Sequence, residues 1–122
     1  MIRQLYLFII GLFFAAYNVS AQGIVINHDA VSPYTPGSTI AVLVEISNTT
    51  CIRPGNKFGL YLSDATGSFI NETQIGTFDG FYTTFINGVI PASAVVGTGY
   101  RLRVKSTLPA LVSNSSGAFE IS

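Results

Sequence analysis

Arg101, Arg103 and Lys105 occupy alternate positions in the stretch GTGYRLRVKS, residues 97–106. They are three of the five basic residues that follow Arg3. Two readings of that spacing are open. Lining a cleft, the stripe would grip an anionic partner. On an open sheet face it is the watered side of a strand that buries Tyr100, Leu102 and Val104. The second reading is the commoner fate, because charge on an outer face also blocks stacking and edge pairing. Glu45, on the outer side of another strand, offers a cross-strand partner contributing about 0.2–1 kcal/mol.

Other chemistry is sparse. The chain has one His, one Cys and no Trp, whereas a His/Cys zinc site needs three or four ligands. Asp64, Glu72 and Asp79 lack the D-x-D-x-D-G spacing of a calcium loop and read as turn and capping residues. His28 and Asp29 are adjacent, so an extended backbone points them to opposite faces, and no G-x-S-x-G elbow is present. A small secreted hydrolase would have to use His28 and Asp79. The expectation is therefore no catalytic residue, no cofactor and no metal. Sugar-binding sandwiches offer aromatic platforms, for which Tyr34, Tyr61 and Tyr82 are candidates, although aromatics on β-faces more often pack. Tyr61 and Tyr82 with Arg101, Arg103 and Lys105 form the candidate ligand or partner surface. Cys51, alone in the chain, reads as a small buried apolar residue. The sequons at Asn48, Asn71 and Asn114 mark surface loops.

The elements that must position these residues are strands. Residues 38–47 alternate, with Ile40, Val42, Val44 and Ile46 on one face and Ala41, Leu43, Glu45 and Ser47 on the other. Phe58, Leu60 and Leu62 alternate with Lys57, Gly59, Tyr61 and Ser63. Residues 23–27, 74–78, 81–87, 99–106 and 118–121 supply five more short strands. Phe81, Thr83 and Phe85 are assigned inward, with Tyr82 and Ile86 outward. In SDATGSF, Asp64 accepts from backbone N–H groups two residues on and Gly67 takes a positive φ. Asp79-Gly80 predicts a type I′ hairpin. Tyr100, after Gly97 and Gly99, stands where a sandwich places the tyrosine whose hydroxyl bonds back to the strand corner. Seven short strands with turn signals between them predict an all-β, immunoglobulin-like antiparallel β-sandwich.

The 122 residues hold one domain, and six basic against six acidic side chains give no net field to draw in nucleic acid. The first residues, MIRQLYLFIIGLFFAAYNVSAQ, read as a signal peptide. Arg3 begins it, Leu5 to Ala16 is its apolar centre, and Val19-Ser20-Ala21 is the cleavage site. The apolar run is shorter than a spanning helix needs. The expected organisation is a signal peptide over residues 1–21 and a sandwich domain over 22–122, exported, with no membrane span after cleavage.

Several phrases carry a family resemblance: SPYTPGSTIAVLVEIS, CIRPGNKFGLYLSDATGSF, QIGTF, GFYTTFINGVIPA and GTGYRLRVKST, with ALVS and FEI after them. Together, from about Val31 to Ile121, they resemble an immunoglobulin-like domain of large secreted surface proteins of Bacteroidota. Those proteins also carry PKD-type repeats and a gliding-motility-associated sorting region read by type IX secretion. Ser93 to Val96 depart from the family, which often has a Gly or Pro pair there. The resemblance implies fold and context, with no catalytic residues to carry over. It implies a non-catalytic structural or interaction module of a secreted or cell-surface, adhesin- or gliding-associated protein, as an N-terminal fragment of a longer chain. Its expected partners are neighbouring domains, a surface protein or a glycan. The alternative is a carbohydrate-binding module or an accessory domain of a secreted enzyme.

Overall fold

Alternation of buried and exposed side chains decides the architecture. The computed structural model describes residues 23–28, 33–47 and 50–122; the leader, Asp29 and the Asn48 sequon lie outside the described residues. Eight strands form among these residues: β1 (Ile24–Asn27), β2 (Thr39–Ile46), β3 (Lys57–Leu62), β4 (Thr73–Asp79), β5 (Thr84–Val89), β6 (Gly97–Tyr100), β7 (Leu102–Lys105) and β8 (Phe119–Ile121). They make one sheet of order β1-β2-β5, a second of order β4-β3-β7, and the pair β6-β8, with antiparallel pairing throughout. Only Arg101 separates β6 from β7, so a single stretch of chain serves both groups. A parallel bridge from Tyr34 flanks β8.

The two layers meet through Ile24, Val42, Val44 and Ile86 on one side and Phe58, Leu60, Leu102 and Val104 on the other, all fully buried. Each such side chain contributes about 1.5–3 kcal/mol relative to exposure. This is the all-β antiparallel sandwich that the period of two predicts. The Tyr100 side chain is buried, and its hydroxyl donates to the Val95 carbonyl at 2.6 Å.

The two flanks close differently. Where β4 meets β5 the backbones touch: a Cβ on Gly76 would lie 2.2 Å from the Asn87 carbonyl oxygen, so only glycine fits. On the opposite flank, residues 111–117 run beside β7 without forming a regular strand. The Val104 amide donates to Ser113 Oγ at 2.8 Å, and the Val104 carbonyl accepts from the Ser113 amide at 2.8 Å. Ser116 does the same for Leu102, at 2.8 Å in both directions. Asn114 then reaches the other sheet, where its Oδ1 accepts from the Ile26 amide at 2.9 Å and its Nδ2 donates to the Ile26 carbonyl at 3.3 Å.

Three local expectations are corrected. In β5 it is Ile86 that is buried, while Phe81 and Phe85 are exposed, as is Thr83. The register explains it: Val42 faces Ile86 inward, so Phe85 falls outward beside Leu43. Asp79-Gly80 makes no hairpin, since β4 pairs with β3 and β5 with β2. The chain instead crosses between sheets there, and among the described residues the positive-φ positions are Gly37, Gly55 and Gly67. The strand expected over residues 99–106 is divided at Arg101, where Ser63 Oγ accepts the Arg101 amide at 2.7 Å.

Gly76→Ala is expected to destabilise the domain by about 1–3 kcal/mol, lowering Tm by roughly 4–8 °C per kcal/mol. Thermal unfolding followed by circular dichroism checks this, and an unchanged midpoint contradicts the flank closure.

Candidate functional site

The alternation that buries Leu102 and Val104 sends Arg103 and Lys105 to the outer face of the β4-β3-β7 sheet. There they meet Glu72, which precedes β4. Arg103 donates to Glu72 Oε1 from Nε at 2.9 Å and from Nη2 at 2.6 Å, and the Lys105 ammonium donates to Oε2. The Arg103 guanidinium lies 4.4 Å from the Phe69 ring centroid, and Lys105 Nζ lies 4.8 Å from that of Tyr61. The Tyr61 ring in turn covers Gly59, where a Cβ would come within 2.8 Å of it. Arg101 donates to the Ser116 carbonyl at 2.9 Å.

The stripe is therefore neither an open anion site nor a bare wet face: every cation in it has a partner within the fold. Glu45 is not that partner, because it sits in β2 opposite Val25, in the other sheet. Nothing in the spacing of residues 97–106 points to Glu72, which the antiparallel pairing of β3 and β4 brings in.

Two carboxyl groups are held below their ordinary values. At Glu72 burial pushes the value up, but hydrogen bonds and charge from Lys105 and Arg103 outweigh it, leaving the carboxyl below 4.5. At Asp64 the hydrogen bond from the Thr66 hydroxyl and that from the Ser68 amide do most to lower it, at 2.6 and 3.0 Å, and Gly67 supplies the φ of 88° the loop needs. A carboxylate held ionised in this way has no proton to give at neutral pH.

Tyr82 lies elsewhere. Its ring is 54% exposed and Phe81 is 45% exposed. Both adjoin an open groove of about 510 Å³ lined by Gly55, Asn56, Lys57, Asp79, Gly80, Phe81 and Tyr82. Lys57 and Asp79 face each other at the β3-β4 pairing, 3.6 Å apart and largely exposed. Asn56, 2% exposed, anchors the floor: its Nδ2 donates to the Gly80 carbonyl at 2.8 Å, and its Oδ1 accepts from the Thr107 and Leu108 amides at 2.9 and 3.0 Å. Tyr61 is four residues along β3 from Lys57, about 13 Å at strand rise. The five residues expected to share one surface therefore divide: Tyr61, Arg101, Arg103 and Lys105 lie on or beside one sheet face, and Tyr82 stands at a loop groove. Asn56, Lys57 and Phe81 were missed. The only local signal for Asn56 is a polar residue between the Pro54-Gly55 turn and an apolar strand.

A smaller groove of about 290 Å³ lies by the Asp64 loop, bordered by Ser63, Ala94 and Val95. His28 packs among aromatic rings, 6.1 Å from Tyr34 and 6.0 Å from Phe119 between centroids. Cys51 is exposed with a free thiol, against the expectation of burial. Asn71 is exposed, as its sequon suggests, whereas the Asn114 amide is engaged with Ile26. Among the described residues no three His, Cys, Asp or Glu side chains cluster as metal ligands, and no helix is long and apolar enough to cross a membrane. Comparison with protein-family models, curated proteins and solved structures finds no match.

Because the folded Glu72 value lies below the unfolded one, the stabilisation it brings is complete above about pH 4.5 and is lost as pH falls through the lower folded value. Glu72→Gln is expected to cost about 1–2 kcal/mol at pH 7 and to flatten the acid limb of stability. Urea unfolding across pH 3–7 reads both, and parallel curves for the two proteins contradict the network.

Proposed function

We propose that this chain is a non-catalytic immunoglobulin-like module of an exported, cell-surface bacterial protein, acting as a spacer or interaction domain. One observation carries the reading. Glu72, Asp64 and His28 make contacts within the fold, and Asp79 lines the groove at Tyr82, whose lining does not include His28. On the outer side of the β1-β2-β5 sheet, Val25, Phe85 and Val89 are 42%, 61% and 52% exposed. Apolar side chains left exposed on one sheet face support an interaction role.

Context comes from the sequence. The leader ending in Val19-Ser20-Ala21 supports export, and the phrases SPYTPGSTIAVLVEIS and GTGYRLRVKST support kinship with adhesin- and gliding-associated surface proteins. In that setting the partners are neighbouring domains of a longer chain, another surface protein or a glycan.

Expression of the 122-residue chain in a Gram-negative host, with fractionation and intact-mass analysis, tests export. A product beginning at Gln22 outside the cytoplasm is expected; a cytoplasmic product retaining the leader overturns the reading.

A further inference from the structure

The groove at Tyr82 has features that the fold does not require. Phe81 and Tyr82 are consecutive aromatics, about half exposed, with ring centroids 5.8 Å apart in an edge arrangement. The Phe78 ring also lies 5.8 Å from that of Tyr82, again in an edge arrangement. Exposing two neighbouring rings forgoes the burial that each would otherwise contribute. Beside them stand an ammonium and a carboxylate, Lys57 and Asp79, 58% and 80% exposed at the side chain. Their 3.6 Å separation makes a loose pair that leaves donors and acceptors available to a third group. The floor is held by Asn56, whose amide ties Gly80 to the Thr107-Leu108 turn, so the walls are in place before any ligand arrives. The volume, about 510 Å³, is that of a ligand site.

We infer that this groove is a binding site for a neutral carbohydrate, Tyr82 stacking on the apolar face of a sugar ring, Phe81 set edge-on beside it, while Asp79 and Lys57 bond its hydroxyls. The chemistry matches on both counts. A pyranose has one face of C–H groups and a rim of vicinal hydroxyls that accept and donate together, and the adjacent carboxylate and ammonium provide the complement. The near-cancelling charge of the pair selects against a strongly ionic ligand. The open shape suits the side or end of a glycan chain. The Arg101, Arg103, Lys105 stripe takes no part, because Glu72 and Ser116 already hold it. The inference deepens the interaction reading by naming its ligand, and it is independent of the export experiment, which can succeed or fail without it.

The test is titration of the isotope-labelled protein with neutral gluco-, manno-, galacto- and xylo-oligosaccharides and with a casein peptide digest, followed by amide NMR. Saturable shifts at Gly55, Lys57, Gly80 and Tyr82 with one oligosaccharide class are expected. Affinity should fall roughly tenfold or more in Tyr82→Ala and in Asp79→Asn, and should be unchanged in Tyr61→Ala. Tyr82 is exposed, so Tyr82→Ala should keep the wild-type spectrum away from the groove, which separates lost binding from lost folding. No response to any oligosaccharide up to ~10 mM, a response to the peptide digest alone, or shifts centred on Tyr61 and Arg103 would each overturn the assignment.

Discussion

The amides of Leu102 and Val104 belong to a strand with a regular neighbour on one side only, and the sandwich depends on how they are satisfied. A buried N–H without an acceptor costs about 1–3 kcal/mol. Here two serines, three residues apart, turn their hydroxyls to those amides and their own amides to the matching carbonyls. Each hydroxyl also donates onward, Ser113 to the Asn114 carbonyl at 2.7 Å and Ser116 to that of Gly117 at 2.9 Å. The edge is thereby closed against another strand. Asn114, between the two serines, performs the same service for Ile26 in the facing sheet. One short polar segment thus joins both layers, and Gly76 against Asn87 closes the opposite flank.

With its flanks shut, the domain has only faces and loops to offer a partner. The outer face of β4-β3-β7 is largely self-satisfied, since Glu72 holds two cations that also cover the Phe69 and Tyr61 rings. Exposed apolar groups lie on the outer face of the β1-β2-β5 sheet, around Tyr82, and in loops at Ile70, Val95 and Val96. A recognition surface on loops and faces, carried by a rigid two-layer frame, is the arrangement sandwiches lend themselves to.

The strands most legible in the sequence were those with one wet side. In β2 and β7 alternation maps onto burial, in β3 it does so except at Gly59, which the Tyr61 ring covers, and the Asp64 loop follows from local turn chemistry. Cys51 apart, the misreadings involve long-range partners. Phe81 and Phe85 look like core residues because they are aromatic, yet the register of β5 against β2 selects Ile86. Asp79-Gly80 has hairpin chemistry, but the strands it joins pair with different neighbours. Glu72 lies 31 residues from Arg103 in sequence, and Asn56 lies 51 from Thr107, so local pattern reading has no means of joining them. The hydroxyls of Ser113 and Ser116 each replace a ladder acceptor, a role that no alternation pattern signals. Of the site, Tyr82 was visible as an aromatic platform; Phe81 beside it was assigned inward, and Lys57 meets Asp79 only when β3 and β4 pair.

Amide hydrogen exchange at Leu102 and Val104 tests the edge closure most directly. Both amides should be protected to the same degree as Leu60 in the sheet centre, and Ser113→Ala should release Val104 while leaving Leu60 protected. Rapid exchange of Leu102 and Val104 in the unmutated protein would mean that the serine hydroxyls do not take the place of a neighbouring strand.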